Sequence, residues 1–318
     1  MKAILSLLLI ACMAHAAEPQ FRFEEKKGEY IDVLFGDRKL VRYMNKPRDG
    51  STKDTHELSF KPFHHVFDPV KGETLLTNGA GLAADKANTF PHHRGIFYAF
   101  NRISYDKETC DVWHGKANEF VLHDSVVSQE ANDKHARQKS KLLWCGKDGK
   151  PFATEEREIT VSNRDGATLI DFDSVLKTDR EKVRLDGDPQ HAGCHFRAAM
   201  EVSKHGKQDT YYVRPDGKGK MGETRNWDPK TKQGPVNQPW DACSFVVKGQ
   251  RYTVLRMVSP KNPKEWRSSE REYGRLGDYF EWDLTPKTPL LVQYRYWMQA
   301  GEMTPEQCAS AYKTYISH

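Results

Sequence analysis

Beyond its first seventeen residues the chain has no apolar run approaching the roughly 20 residues that a membrane helix needs, so no helical membrane insertion is expected. The 3.6-residue hydrophobic period is nearly missing as well, which excludes a helical bundle. There is no basic stripe interleaved with aromatics. Lys and Arg number 49 against 44 Asp and Glu, mixed by sign along the chain, and the formal charge of +5 is mild for 318 residues. Nucleic acid is therefore excluded as a partner. No internal repeat and no low-complexity tract is visible, and no composition shift divides residues 17–318, which read as one domain.

Thiols are few and odd in number. Of six cysteines, Cys12 lies in the amino-terminal segment, leaving Cys110, Cys145, Cys194, Cys243 and Cys308. At least one must stay unpaired within the chain, and Cys194, flanked by His191 and His195, is the candidate of most chemical interest. Residues 1–16 have the form of a secretory signal. Lys2 gives the positive end, Ile4 to Met13 the apolar centre and Ala14-His15-Ala16 a small-x-small cleavage site, so a periplasmic or secreted product is expected.

What is present is a period of two. Runs rich in β-branched and aromatic residues, bounded by Gly, Pro, Asn or Asp, occur at 30–35, 57–63, 96–100, 119–128, 141–144, 156–162, 168–177, 196–202, 241–247, 252–257, 280–284 and 290–297. A dozen short strands at near-regular spacing predict an all-β fold, a large antiparallel β-sandwich. Glycines at Asp148-Gly149, Asp165-Gly166 and Lys248-Gly249 stand where hairpins need positive φ. One short helix is predicted at the carboxyl end, with Thr304 as N-cap, Pro305 at the first helical position and Gln307 completing a capping box. Residues 214–239 read as a long loop.

Chemistry concentrates in three histidine-bearing segments: Phe90-Pro91-His92-His93-Arg94-Gly95, Asp111-Val112-Trp113-His114-Gly115 and Asp188-Pro189-Gln190-His191-Ala192-Gly193-Cys194-His195-Phe196-Arg197. Imidazole titrates nearest neutrality and is the commonest metal ligand, so these turns suit proton transfer, metal binding or both. Adjacent histidines in an extended segment face opposite ways, and His93 is preferred over His92 because Arg94 then supplies a planar donor beside it. Trp113 beside His114 offers an aromatic face and a polar tip, a pairing that suits a sugar. His191 and His195, four apart in an extended segment, share a face. Trp266, Arg267 and Arg271 form a second substrate-binding group after Ser259-Pro260-Lys261-Asn262-Pro263. Glu156 with Glu158, and Asp171 with Asp173, are carboxylate pairs on strands and fit solvated edge charge better than catalysis.

Four of these segments carry a resemblance to secreted bacterial proteins of unknown function labelled "methane oxygenase PmoA-like". They are Phe90-Pro91-His92-His93-Arg94-Gly95, Asp111-Val112-Trp113-His114-Gly115, Gly193-Cys194-His195-Phe196-Arg197, and Ser259-Pro260-Lys261-Asn262-Pro263 leading to Trp266 and Arg271-Glu272-Tyr273-Gly274. The membrane chemistry borrowed by that label is excluded by a mean hydropathy of −0.78 and the lack of a span. The order of the segments also resembles, more distantly, the galactose mutarotase-like supersandwich. That resemblance implies His93 and His195 as a catalytic pair, with His114, Arg94 and Arg271 orienting a sugar, and leaves Glu272 and Glu281 both eligible as the carboxylate.

The function expected is a carbohydrate-active enzyme working by acid/base chemistry on a sugar or oxidised glycoside, of epimerase, lyase or hydrolase type. Two other readings stay open. One is a non-catalytic carbohydrate-binding protein with a groove of Trp113, Trp240 and Trp266. The other is a metal enzyme in which His93, His114, His191 and His195 hold a divalent copper, zinc or iron ion.

Overall fold

Two large sheets form: Pro151–Arg164 and Leu290–Ala300 alternate between buried and more exposed residues, whereas Ile96–Phe100 and Ala192–Arg197 are buried on both faces. The computed structural model describes residues 20–79, 90, 92–188 and 190–317; the secretory signal expected over residues 1–16, Pro91 and Pro189 lie outside the described residues. One nine-stranded sheet runs, edge to edge, Phe21–Lys26, Tyr30–Phe35, Arg38–Met44, Phe63–Val66, Ile96–Phe100, Ala192–Arg197, Arg275–Tyr279, Arg267–Arg271 and Arg225–Asn226. The other runs Gly217–Lys218, Tyr211–Arg214, Trp240–Val247, Gln250–Val258, Leu290–Ala300, Ala167–Lys177, Pro151–Arg164, His135–Cys145 and Phe120–Ala131. Paired neighbours are antiparallel, as in a large β-sandwich.

The sheets meet through alternate residues. Tyr98 places its ring 5.5 Å from Trp144 and 6.1 Å from Phe172. Phe196 packs on Phe245, and the Cys194 thiol lies 3.4 Å from the Tyr296 hydroxyl. Charged groups bridge the layers: Arg214 of the second sheet holds Glu270 of the first at 2.7 Å, and Arg256 takes Asp241 on its own sheet by two bonds of 2.8 and 2.9 Å and Asp278 of the facing sheet at 3.1 Å. All five cysteines of the described residues are free and buried. Burial pushes the Cys194 thiol up to about 12, which makes it an inert core residue.

Two strand expectations need correction. The 57–63 run is mostly helix: Lys53–Ser59 is nucleated by a capping box in which Thr52 and Thr55 each accept the other's backbone amide at 3.1 Å, and the strand begins only at Phe63. The 196–202 run stops as a strand at Arg197 and turns into the short helix Met200–Lys204. The 214–239 segment is not all loop, Gly217–Lys218 and Arg225–Asn226 serving as edge strands of opposite sheets. The carboxyl-terminal helix, Pro305–Ile316, carries the expected Thr304–Gln307 capping box.

A third sheet of four strands, ordered Trp282–Leu284, Val183–Asp186, Arg102–Tyr105 and Glu108–Cys110, sets up the site. Val183–Asp186 and Glu108–Cys110 are both antiparallel to Arg102–Tyr105, so they run parallel to each other. Their carboxyl ends emerge on the same side, and each leads directly into a histidine-bearing turn. No helix among the described residues is long and apolar enough to cross a membrane.

Candidate metal centre

The two turns are built alike. Asp111 accepts the His114 backbone amide at 2.9 Å and the His114 ring at Nδ1 at 2.7 Å. Asp188 accepts the Gln190 amide at 2.9 Å and His191 Nδ1 at 2.8 Å, and its other oxygen takes Asn101 Nδ2 at 3.0 Å. A carboxylate on Nδ1 fixes the tautomer, because Nδ1 must carry the proton, and so leaves Nε2 of each ring as a lone-pair donor. Burial works against ionisation of Asp188, but the bonds and charge from His191 outweigh it and hold the carboxyl at about 2.

The third imidazole comes from the segment before Ile96–Phe100. Phe90 has a left-handed φ of 61°, and the His93 amide returns to the Phe90 carbonyl at 3.0 Å, so the backbone at His93 is not extended away from Phe90. Gly95 then joins the sheet, its amide donating to the Asn78 carbonyl and its carbonyl accepting the Arg197 amide. Gly95, at φ 52°, passes so close to the His64 carbonyl that a Cβ would collide with it. The result is that His92, His114 and His191 converge. Their rings lie 4.6 Å (His92 to His114) and 5.0 Å (His114 to His191) apart, and one nitrogen of each falls within 4.8 Å of the others.

The cluster sits on a packed base. Trp113 is fully buried, edge-on to His195 at 4.8 Å and to Phe97 at 4.9 Å. Its carbonyl accepts the Lys61 ammonium at 2.6 Å, and the Gly115 carbonyl meets His56 of the Lys53–Ser59 helix. These two contacts fix the His114 turn from below. Burial, with the charge of Lys61 next, pushes His92 down to about 2, so its ring is a neutral donor, and its buried Nε2 has no protein partner. Burial likewise pushes Lys61 well below the usual ammonium range, with Arg94 adding to it.

The expected site residues therefore divide. His114 and His191 are in the cluster. His92 takes the place given to His93, because the backbone there is not extended. His93 is 2% exposed and lies behind, 4.3 Å ring to ring from His92 and stacked on Phe97 and Phe90. His195 is a core residue: its Nε2 meets the Ala192 carbonyl at 2.8 Å, its Nδ1 meets Arg275 at 3.0 Å, and Gly277 on the next strand leaves room for its ring. That geometry removes His195 from the ligand set and from direct contact with substrate.

Arg94 is buried too, above Phe60 and Phe63 and 3.4 Å from Glu57. Trp113, Trp240 and Trp266 are at most 4% exposed, which removes the expected aromatic groove. Trp266 donates its indole N–H to the Gln238 carbonyl, and Arg267 is engaged by Glu265 and Glu281. Arg271 does border the centre, donating to Gln190 at 3.0 Å. Glu272 bonds to Thr224 and Glu281 is held by Tyr279 and Arg267, so neither is the site's carboxylate. Those are Asp111 and Asp188, announced in the sequence by a repeated Asp-x-x-His. The carboxylate pairs elsewhere are ion-paired: Glu156 with Lys177, Glu158 with Lys139, Asp171 with Arg295.

Among solved structures, the GH36 alpha-galactosidase AgaA of Geobacillus stearothermophilus is similar at 8% identity and a TM-score of 0.43 over 93% of this chain, which spans 41% of the galactosidase chain. A protein of Klebsiella pneumoniae subsp. pneumoniae assigned as an aldose 1-epimerase is similar at 10% identity and a TM-score of 0.39, over 94% of this chain and 84% of that one. No curated protein matches the sequence. A family model does match, over residues 30–313, a span that holds all the segments which carried the PmoA-like resemblance but bears a different name. The chain belongs to DUF6807, a family of unknown function.

Proposed function

We propose that this protein is a metal-dependent enzyme whose centre is His92, His114 and His191, acting on a carbohydrate. The observation that carries the reading is the pair of Asp–His contacts at Nδ1, which aims two imidazole Nε2 atoms at a point that a third, neutral imidazole also borders. Three nitrogen donors, two of them backed by carboxylates, match the ligand set of catalytic zinc-type sites, in which a further position stays open to substrate. His92, His114 and His191 would hold a divalent ion, which would supply Lewis-acid polarisation of a substrate carbonyl or hydroxyl oxygen, an effect worth several kcal/mol at the transition state.

The residues of the chain do the rest. Asp111 and Asp188 hold the rings and offset the ion's charge. His93 backs His92, and Lys61 anchors the Trp113 carbonyl beneath His114. The sugar substrate is carried over from the mutarotase-like resemblance, and export through residues 1–16 belongs to the same reading. The test is a screen of monosaccharides, oligosaccharides and oxidised glycosides before and after chelation. Turnover should vanish with chelator, return with one added divalent ion, and be absent in a folded His191→Ala variant. Chelator-insensitive turnover that survives His191→Ala contradicts it.

A further inference from the structure

Arg197, Arg275 and Arg271 stand side by side at one level of three adjacent strands. Arg197 is the register partner of Arg275, and Arg275 that of Arg271. Like charges directly opposite one another across a sheet repel, and buried charges without partners are costly, so a row of three guanidiniums needs an anion. Among the described residues no carboxylate lies within 4 Å of Arg197 or Arg275, and Arg271 has only Glu272 at 3.8 Å. Arg197 is fully buried and Arg275 is 1% exposed. Burial pushes the Arg197 guanidinium down to about 10.

The unfilled edge has a definite shape. Arg197 uses Nη1 on the Tyr273 carbonyl, while its Nε and Nη2 have no partner. Elsewhere in this molecule that same Nε/Nη2 edge receives a carboxylate. Arg42 holds Asp32 at 2.7 and 2.9 Å, Arg157 holds Glu155 at 2.7 and 2.9 Å, and Arg256 holds Asp241 at 2.8 and 2.9 Å. Two parallel N–H donors match two carboxylate oxygens, which a single point charge does not. Arg275 adds an unpartnered Nε beside it.

The row is continuous with the metal centre. Arg275 donates to the Gln190 carbonyl at 2.7 Å and Arg271 to the Gln190 side chain, one residue before His191. Arg197 packs on the Tyr273 ring at 4.5 Å, Tyr273 on Phe90 at 5.1 Å, and Phe90 on His93 at 5.4 Å. We infer that the Arg197–Arg275–Arg271 row is the anchor for the carboxylate of an acidic sugar, a uronate or aldonate, whose hydroxyl end then faces His92, His114 and His191. The inference rests on the proposed function for the sugar part of the ligand and for what that far end meets; the carboxylate anchor rests on the arginine row itself.

The test is calorimetric titration of the full chain, metal-loaded and metal-stripped, with D-glucuronate, D-gluconate, D-glucose and inorganic sulfate. The two carboxylates should bind, and D-glucose should bind at least about tenfold more weakly. Arg197→Met and the more exposed Arg271→Met should each weaken D-glucuronate by about tenfold or more, with Arg197→Lys giving no rescue because ammonium lacks the fork. Both Arg variants should keep their metal content. Equal binding of D-glucose and D-glucuronate, no saturable binding of either carboxylate, displacement of D-glucuronate by equimolar sulfate, or unchanged affinity in both Arg→Met variants overturns the inference. Should the metal reading alone fail, D-glucuronate binding persists in the chain that takes up no metal.

Discussion

Asp111 holds His114 twice, at the backbone amide and at ring Nδ1, so a single carboxylate sets both the turn and the direction of the imidazole. Asp188 plays a like part for His191, its carboxylate accepting the Gln190 amide and ring Nδ1 of His191. Two similar Asp–His turns at the ends of parallel strands of the small sheet explain why segments far apart in sequence deliver their rings to one place.

If these carboxylates serve the centre, removing their charge weakens metal binding without unfolding the chain. Asp188→Asn and Asp111→Asn should each reduce metal affinity by about 10- to 100-fold. Competition against a chromogenic chelator measures this, and unchanged affinity in both variants would show that the aspartates merely shape the turns.

Gly277 tests the base under the cluster. A Cβ there would overlap the His195 ring, which cannot withdraw because both its nitrogens are bonded to Ala192 and Arg275. Gly277→Ala should destabilise the fold by about 2–3 kcal/mol through overpacking, read as a lower denaturation midpoint at constant slope.

The Arg256–Asp278 bridge between the large sheets should be costly to break. Asp278→Ala leaves Arg256 with Asp241 alone and orphans the Tyr294 hydroxyl, which Asp278 accepts at 2.9 Å. A loss of about 3 kcal/mol is expected, against about 1 kcal/mol for Tyr294→Phe. Urea denaturation of the two variants distinguishes these values.

Asp68 supplies the acid limb of stability. Burial raises its pKa, but the backbone amides of Lys71, Thr74, Glu73 and Val70, at 2.8 to 3.2 Å, outweigh it and hold the carboxyl below its ordinary 3.8. A depressed carboxylate stabilises the fold above its unfolded pKa, and that stabilisation is lost as pH falls through the folded value. Asp68→Asn should therefore be less stable than the parent by about 2 kcal/mol at neutral pH, and the gap should narrow below about pH 4. A gap that widened on acidification would reverse the sign and refute the assignment.

The sandwich was legible because period-2 patterns such as 30–35, 96–100 and 168–177 lie where strands form, and because Thr304 and Gln307 announce their helix directly. The site was legible in its segments and not in its members. The preference for His93 assumed an extended backbone where Phe90 turns the chain, and the pairing of His191 with His195 assumed a shared face where Asp188 folds one ring back. Trp113 and Trp266 looked like sugar platforms because composition does not report burial. The Asp-x-x-His repeat was readable and is the signal that would have found the ligands. The arginine row was not readable, since it depends on the register between Ala192–Arg197 and strands that lie far along the chain.

Elemental analysis combined with the visible spectrum of cobalt-loaded protein examines the centre itself. One ion per chain is predicted, with nitrogen ligation in the parent and loss of both signals in His92→Ala, His114→Ala and His191→Ala, while His195→Gln, if folded, keeps them. Undiminished stoichiometric binding in those three alanine variants, or loss confined to His93 and His195 variants, would contradict the assignment.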